Sequence, residues 1–324
     1  MGRARAALAS AAIVILTFAL GALVFEVALR VTGRPFKGVL AADEETIAQF
    51  DDATGWSYVP DNSATLAFGD AGVEVTMYFD AAGIRVPTAT TALDPKRPTM
   101  LLIGGSFMFG HGVSYEASIA GQLERRLDLQ IVNVAVQGFG TDQALVQLRR
   151  FADRFDTRAV VYGFVCDHIR RNANEDRRLW MPERRFPGTK PAFALSPDGV
   201  KQVHRPVRSA DRSYSHLWAY VRLVRTHRGP PPTPKLTRAL ITEMQREAEA
   251  RDARFAVVDW AIRGTPALCA NDPLADLDID LIRPGRDDPP EGWETWYIPG
   301  DFHPSAPSHA HVADRVAAWW RDGL

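Results

Sequence analysis

The hydrophobic pattern first sets apart the N-terminus of the chain. Residues 6–25 carry no charge, and such a run of about 20 apolar residues matches the hydrocarbon thickness of a bilayer. Arg3 and Arg5 precede the run, as in a signal anchor, and no small-residue cleavage site follows it. We therefore expect residues 1–35 to form an uncleaved transmembrane anchor rather than a cleaved signal peptide or a buried core helix.

The next part of the chain, residues 36–98, has a different pattern. Residues 73–79 alternate between β-branched or aromatic and other side chains, which is typical of a strand. Turn residues surround this run, and the polar, proline-bounded stretch 93–98 indicates a linker. We expect a small β-rich lead-in segment packed on the main domain.

From residue 99 onwards, short apolar runs alternate with stretches of helical spacing. The predicted strands are 99–103, 130–136, 159–165 and 255–259, and the predicted helices are 118–127, 141–155, 236–250 and 309–320. Continuous apolar strands separated by helices indicate an α/β domain with a mostly parallel sheet covered on both faces. In such a sheet the site lies at the carboxyl ends of the strands. We therefore expect the functional residues of the domain 99–324 to follow these strands.

Composition adds two constraints. The 324 residues include 38 basic and 39 acidic side chains, and this balance gives no reason to expect a nucleic-acid partner. The two cysteines, Cys166 and Cys269, make neither a disulfide framework nor a zinc site by themselves. We expect them to be independent buried or free thiols.

Three short motifs follow predicted strands or lie near the end of the chain. Ser106 comes directly after two glycines that permit a sharp turn, and Gly138 lies in a second glycine-rich turn. Asp301-Phe-His303 offers a base and an acid, which a serine nucleophile needs because an unactivated hydroxyl is a poor nucleophile. Together these motifs favour a serine site at one sheet edge.

These motifs resemble the blocks of the SGNH, or GDSL-like, hydrolase family. Residues 104–110 are similar to the first block, residues 133–140 to the second, residues 161–167 to the third, and Asp301-Phe-His303 to the last. The resemblance implies a flavodoxin-like three-layer α/β/α fold that requires no metal or cofactor. It implies Ser106 as nucleophile, His303 as base and Asp301 as its partner, with the N–H groups of Ser106 and Gly138 forming an oxyanion hole.

The chain departs from the family pattern at three positions. Gly105 replaces the usual Asp of the first block, and Cys166 occupies the place of the usual oxyanion-hole Asn in the third block. A thiol is a weak donor, so Asn172 or Asn174 is a candidate substitute. Only one residue, instead of two, separates Asp301 from His303.

Two long loops interrupt the predicted domain and are candidates for substrate contacts. Trp293, Trp296 and Tyr297 lie just before Asp301 and either line an acyl or sugar pocket or serve as core or lid packing. The other loop contains arginines that are most simply solvated charges, or that hold an anionic substrate if they face the site: Arg170, Arg171, Arg177, Arg178, Arg184 and Arg185.

Three functions are consistent with this pattern. The first is a serine esterase that hydrolyses a small acyl ester, with an envelope carbohydrate as one candidate substrate. The second is an O-acyltransferase acting on an extracytoplasmic polysaccharide, and the third is a non-catalytic binding or assembly protein on the same fold. Arg30, Arg34 and Lys37 follow the apolar run, so charge does not favour export. For this single-pass anchored chain, the family resemblance instead implies an extracytoplasmic, periplasm-facing domain, because anchored members of the family generally present the hydrolase outside the cytoplasm.

Overall fold

The structure is a computed structural model that describes residues 2–34, 47–181, 186–208, 215–229, 232–260, 269, 272–284 and 296–323. Its helices are α1 Gly2–Val31, α2 Ser106–Phe109, α3 Ile119–Glu124, α4 Thr141–Phe151, α5 His168–Asn172, α6 His216–Arg228, α7 Lys235–Glu249 and α8 Ala306–Asp322. Its strands are β1 Ala48–Gln49, β2 Ser57–Tyr58, β3 Ser63–Phe68, β4 Val73–Phe79, β5 Arg85–Val86, β6 Pro98–Gly104, β7 Gln130–Asn133, β8 Asp156–Phe164, β9 Ala192–Ser196, β10 Gly199–His204, β11 Arg254–Asp259, β12 Asp280–Ile282, β13 Tyr297–Ile298 and β14 Asp301–Pro304.

A five-stranded parallel sheet forms the centre of the domain. Its strand order is β12-β11-β8-β6-β7, and each neighbouring pair runs parallel. Numbered by their appearance in this sheet, the strands have the order 2-1-3-4-5, which is the flavodoxin-like arrangement. The predicted mostly parallel α/β fold is confirmed. The outermost strand β12 was not among the predicted strands, because three residues are too few for a periodic signal.

Both faces of this sheet are buried, and the side chains alternate between them along each strand. On β6, Met100 and Leu102 point into one core cluster, whereas Leu101 and Ile103 point into the other. Residues of α3 and α8 complete the first cluster, and residues of α4 and α7 complete the second. Helices on both faces explain why the strands read as continuous apolar runs instead of alternating ones.

The lead-in segment is β-rich, as expected. Strands β3, β4 and β5 form an antiparallel sheet, and β1 pairs with β2. Trp56, Tyr58 and Val75 join the core cluster that also contains Met100. The buried Arg85 side chain donates to the carbonyls of Phe109, Gly110 and Val113, at 3.0, 2.8 and 2.7 Å. The segment therefore braces the chain that follows α2.

Helix α1 is long and apolar enough to cross a membrane. Its span Ala4–Val31 has a mean hydropathy of 2.5 over its most apolar window, and no side chain of that window is buried. Among residues 4–31 only Leu29, near the end of the helix, is buried. A signal sequence near the N-terminus also meets this criterion of length and composition, so the criterion does not distinguish it from an anchor.

The two cysteines are joined, so the expectation of independent thiols was wrong. Cys166 and Cys269 form a disulfide, with their Cα atoms 6.0 Å apart. They are separated by 103 residues in the sequence, and Cys166 follows β8 at the edge where the candidate motifs converge. Sequence spacing cannot reveal such a pairing, because it depends on how the connecting chain returns to the sheet.

Candidate active site

Ser106 lies at the carboxyl end of β6, where a strand passes directly into a short helix. Gly104 has φ +144°, a backbone conformation that glycine adopts readily, and Ser106 is the first residue of α2. A Cβ atom at Gly105 would lie 3.2 Å from His168 Nε2 and 3.3 Å from Arg171 Nη1. Both contacts are tight, so the histidine and arginine occupy the space that the usual aspartate would need.

The last motif comes to Ser106 through β14. His303 Nε2 lies 2.8 Å from Ser106 Oγ, and His303 Nδ1 lies 2.5 Å from Asp301 Oδ1. Because the carboxylate accepts, Nδ1 carries the proton and the neutral ring presents Nε2 as an acceptor to the serine hydroxyl. Ser106, His303 and Asp301 therefore form a continuous hydrogen-bonded row despite the single residue between Asp301 and His303.

A second histidine, which the sequence reasoning missed, completes this row. His111 Nε2 lies 3.1 Å from Asp301 Oδ2, and His111 Nδ1 lies 2.5 Å from Gln137 Nε2. The His111 and His303 ring centroids are 4.0 Å apart. Two imidazoles thus hold one carboxylate. The only signal in the sequence was a histidine five residues after Ser106. In the structure its backbone N–H donates to the Ser106 carbonyl.

The charges of this row are set by their surroundings. Hydrogen bonds from His111 and then His303 hold the pKa of Asp301 far below its usual range, so the carboxylate stays ionised at neutral pH. Burial lowers the pKa of His303 below its usual value, and this effect outweighs the raising effect of Asp301. The His303 ring is therefore neutral, and able to accept a proton, at neutral pH.

The second glycine-rich turn brings Gly138 to the same sheet edge. Gly138 has φ +76°, and the preceding residue is held by the lead-in segment. Trp56 Nε1 donates to the Gln137 carbonyl at 2.9 Å, and the Gln137 N–H donates to Tyr58 Oη at 3.1 Å. Neither the Ser106 N–H nor the Gly138 N–H donates a hydrogen bond to another residue that the structure describes.

The third block offers no asparagine to this turn. Cys166 is part of the disulfide and has no S–H to donate. Asn172 donates to Thr141 Oγ1 at 3.0 Å and to Thr237 Oγ1 at 2.7 Å, and its amide oxygen accepts from the Thr141 N–H. Its polar atoms therefore bind α4 and α7. The Asn174 side chain accepts from the Asp176 N–H.

Arg171 is the cationic side chain beside the two turns. Its Nε donates to Asp167 at 2.7 Å, and its Nη1 donates to the Phe139 carbonyl at 2.8 Å. Burial alone would raise the pKa of Asp167, but Arg171 and Arg177 lower it to about 2. The guanidinium is thereby held next to Gly105 and to the turn that carries Gly138.

A buried ion pair supports the start of α4 behind this turn. The Lys190 ammonium group contacts the Asp142 carboxylate, and both side chains have no exposed surface. Lys190 also donates to the Pro191 carbonyl at 3.0 Å. Burial raises the pKa of Asp142 and lowers the pKa of Lys190. The pair fixes the chain before β9 to the helix that follows the second glycine-rich turn.

A cavity of about 150 Å³ opens over Ser106 and His303. Its walls come from the lead-in segment, the second turn and the loop after α5; besides Ser106 and His303, it is lined by Ile47, Ala48, Trp56, Tyr58, His111, Val136, Gln137, Gly138, Arg171, Arg177, Met181, Phe186 and Pro187. The wall is largely apolar, and the described lining residues include two arginines and no acidic side chain. The lead-in segment is thus part of the site.

Trp296 and Tyr297, two of the aromatic residues that were candidates for substrate contact or for packing, do not line this cavity. Trp296 and Tyr297 line a separate space of about 10 Å³ with Phe107 and Trp260, and Trp296 packs against His311. Trp293 lies outside the described residues. Trp296 and Tyr297 are close to Asp301 in the sequence, but they do not line the cavity over Ser106.

The arginines of the long loop are not simply solvated charges, so that expectation was wrong for three of them. Arg177 and Arg178 are buried, and Arg171 is 14% exposed. Arg178 pairs with the buried Asp176. Arg184 and Arg185 lie outside the described residues. Arg171, on α5, and Arg177, on the turn that follows it, both line the cavity.

One cluster at the site has atoms that could ligate a metal ion. His111, Asp301 and His303 each offer one ligand atom, and these atoms lie within 4.8 Å of one another. The same atoms are already engaged in the hydrogen bonds of the row, and a metal would have to displace the protons between the rings and the carboxylate.

Comparisons with known proteins give structural likenesses only. No protein-family model and no curated protein matches the chain. A lipase/acylhydrolase from Enterococcus faecalis is 13% identical over 70% of this chain and 97% of that one, with a TM-score of 0.42. The psychrotrophic esterase EstA from Pseudoalteromonas sp. is 12% identical over 70% and 98%, with a TM-score of 0.37.

A third likeness covers more of the chain. It is to a carbohydrate esterase whose active site displays divergent catalytic and non-catalytic binding functions; the identity is 14%, the cover is 85% of both chains, and the TM-score is 0.39. At these identities and TM-scores, the likenesses carry no argument about activity or substrate.

Proposed function

We propose that this protein is a serine esterase of the SGNH type that acts on a small acyl ester. The observation that carries the proposal is the row in which Asp301, His303 and Ser106 are joined by hydrogen bonds of 2.5 and 2.8 Å beside a cavity. A non-catalytic role would not require this alignment. Such a role would have been favoured if Ser106 and His303 were too far apart to form a hydrogen bond, but they lie 2.8 Å apart.

The chemistry follows from the roles of these atoms. Ser106 Oγ attacks the ester carbonyl carbon while its proton passes to His303 Nε2, and Asp301 stabilises the imidazolium that forms. The N–H groups of Ser106 and Gly138 stabilise the oxyanion, with the Arg171 charge nearby. The carbon–oxygen bond to the alcohol then breaks as His303 protonates the leaving oxygen. A water molecule attacks the acyl-enzyme, and His303 takes the water's proton before returning one to Ser106.

His111 acts here as a positioning residue. The second hydrogen bond from His111 fixes the other carboxylate oxygen and so orients the oxygen that faces His303. The Gln137 amide fixes the His111 ring in turn, and it adjoins the residue that supplies the oxyanion N–H.

We further propose that α1 anchors the protein and that the domain lies outside the cytoplasm. The flanking charges left the orientation open, but the disulfide between Cys166 and Cys269 supports an oxidising compartment. Disulfides persist in the periplasm and outside the cell, and they are rare in the cytosol. An envelope carbohydrate ester is therefore a suitable substrate class.

O-acyl transfer is the second candidate function, and the apolar cavity wall favours it. Trp56, Met181 and Phe186 surround the space over Ser106, so water has limited access to an acyl group bound there. Transfer uses the same residues, with a sugar hydroxyl replacing water in the second half of the reaction. If added sugar oligomers divert most of the acyl group from hydrolysis, transfer is the main activity; if they change nothing, hydrolysis is.

The proposal is tested by covalent labelling of the nucleophile. A fluorophosphonate probe is expected to label the wild-type protein, and labelling should disappear in Ser106→Ala. Ser114→Ala is the matched control, since Ser114 is an exposed serine eight residues further along the chain. The serine mechanism fails if the wild type neither labels nor hydrolyses small acetate esters, or if Ser106→Ala still labels.

A further inference from the structure

Helix α6 has a role that the ester chemistry does not require. It begins against the end of α1, where the Glu26 carboxylate accepts hydrogen bonds from Ser215 Oγ, the His216 N–H and the Leu217 N–H, at 2.7, 3.0 and 2.7 Å. A carboxylate at a helix N-terminus satisfies N–H groups that the helix leaves open and complements its dipole. The apolar helix and α6 are thus joined end to side.

Two further contacts fix this junction. The Phe25 and Tyr220 rings pack edge to face with centroids 5.7 Å apart, and His216 Nδ1 lies 2.6 Å from the Arg34 carbonyl oxygen. Arg30 pairs with the same Glu26 carboxylate. The end of α1 is therefore held on the domain instead of continuing as a loose tether.

The proposed anchor role of α1 gives the junction a definite depth relative to a bilayer. The uncharged run of residues 6–25 is about 30 Å long as a helix, which equals the hydrocarbon thickness. Glu26 is the next residue, so it lies where the hydrocarbon ends. Because Glu26 caps α6 and Phe25 packs on Tyr220, the first turns of α6 lie at the same level, in the headgroup region.

The composition of α6 suits that position. Its 13 residues include Arg222, Arg225 and Arg228 and no acidic residue. Trp218 is 56% exposed and Tyr220 is 38% exposed, whereas Ala219 and Leu223 pack on Leu179 on the inner face. Exposed Trp and Tyr together with arginines on one helix are typical of an element at the interface between hydrocarbon and water.

We propose that α6 is an interfacial helix that docks the domain on the lipid surface beside α1, with Trp218 at the headgroup level and Arg225 and Arg228 facing anionic headgroups. This inference rests on the proposed anchor role of α1. The inner face of α6 packs on Leu179 in the turn Arg177–Leu179, and Arg177 of the same turn lines the cavity over Ser106. The site is therefore held close to the membrane, where a lipid-bound or surface-bound ester is presented to it.

The test measures the depth of a nitroxide label in the full chain reconstituted in phosphatidylethanolamine–phosphatidylglycerol vesicles. Single cysteines are introduced as Val14→Cys in the middle of α1, Trp218→Cys on α6 and Leu195→Cys on β9. Leu195 is 55% exposed, which matches Trp218. Both native cysteines form the disulfide and do not react with the label. Collision rates with oxygen, which enters lipid, and with a nickel chelate, which stays in water, report the depth.

The expected ratio of oxygen to nickel collisions is highest at position 14, intermediate at position 218 and low at position 195, several-fold below position 218. Omitting phosphatidylglycerol should lower the ratio at position 218 alone. The inference is overturned if position 218 resembles position 195 while position 14 is deep, including the case in which the exposed face binds another protein. An aqueous reading at position 14 overturns the anchor and this inference together, and leaves the ester chemistry untouched.

Discussion

The contact between His111 and Asp301 gives the sharpest prediction. In His111→Ala, the carboxylate loses one of its two imidazole donors but keeps His303. A hydrogen bond to a charged group contributes about 1.5–3 kcal/mol. The Asp301 side chain is 22% exposed, so water replaces part of that interaction. We therefore expect kcat/KM to fall about tenfold to thirtyfold, because about 1.4 kcal/mol corresponds to a factor of ten in rate.

The pH dependence separates this role from a purely structural one. Burial is the main cause of the lowered pKa of His303, and the nearby His111 lowers it further. Activity requires neutral His303, so kcat/KM of the wild type should fall only below the usual pKa range of histidine. Removing the His111 ring reduces the burial of His303 and removes the lowering effect of His111 on the pKa of His303. The pKa of His303 then rises, and the acid limb of the profile moves to higher pH.

Two variants test the reasoning with an acetate-ester assay. In His111→Gln the side-chain amide nitrogen can reach the place of Nε2, so the rate should stay within about threefold of the wild type because the donor is retained. His311→Ala is the matched control, since His311 bonds the Pro284 carbonyl away from Ser106. The positioning role is refuted if His111→Ala keeps the wild-type rate and pH profile, or if His111→Gln is no better than His111→Ala.

Four other outcomes are expected. Gly138→Ala should lose about 1–2 kcal/mol of stability, because φ of +76° strains alanine, and should lower kcat in the ester assay. Arg85→Met should lower the free energy of unfolding in urea by roughly 3 kcal/mol, since three buried carbonyls lose their donor. Cys166→Ser combined with Cys269→Ser should lower it by about 2–5 kcal/mol, because a bridge across 103 residues is lost; unchanged unfolding would contradict the disulfide. A chelator should leave the hydrolysis rate unchanged; a loss that zinc restores would instead place a metal on the histidine–aspartate cluster.

The sequence was most informative where a residue's place follows from strand topology alone. Ser106 and Gly138 each follow a strand, and the carboxyl ends of neighbouring parallel strands necessarily meet at one edge. His303 and Asp301 could be associated with them because a serine nucleophile needs a base and an orienting acid. These inferences required only the order of the elements and the chemistry of the residue types.

Other features depend on three-dimensional details that periodicity does not encode. His111 is a lone histidine in the sequence, and only the turn after α2 directs it towards Asp301. The role of Trp56 and Tyr58 in the cavity depends on how the lead-in segment packs. Trp296 and Tyr297 show the converse, because residues close to Asp301 in the chain need not point to the same space. The disulfide depends on the return path of a long loop.

The buried pair of Lys190 and Asp142 limits how this sequence can change over time. Replacing either residue alone leaves one uncompensated charge without access to water, which costs about 3–5 kcal/mol. Replacing both with apolar side chains of similar volume is often neutral. Descendants of this sequence should therefore keep both residues or lose both. Joint variation of positions 142 and 190 in related sequences would then indicate that these two positions contact each other there too, at the start of α4 behind the turn that carries Gly138.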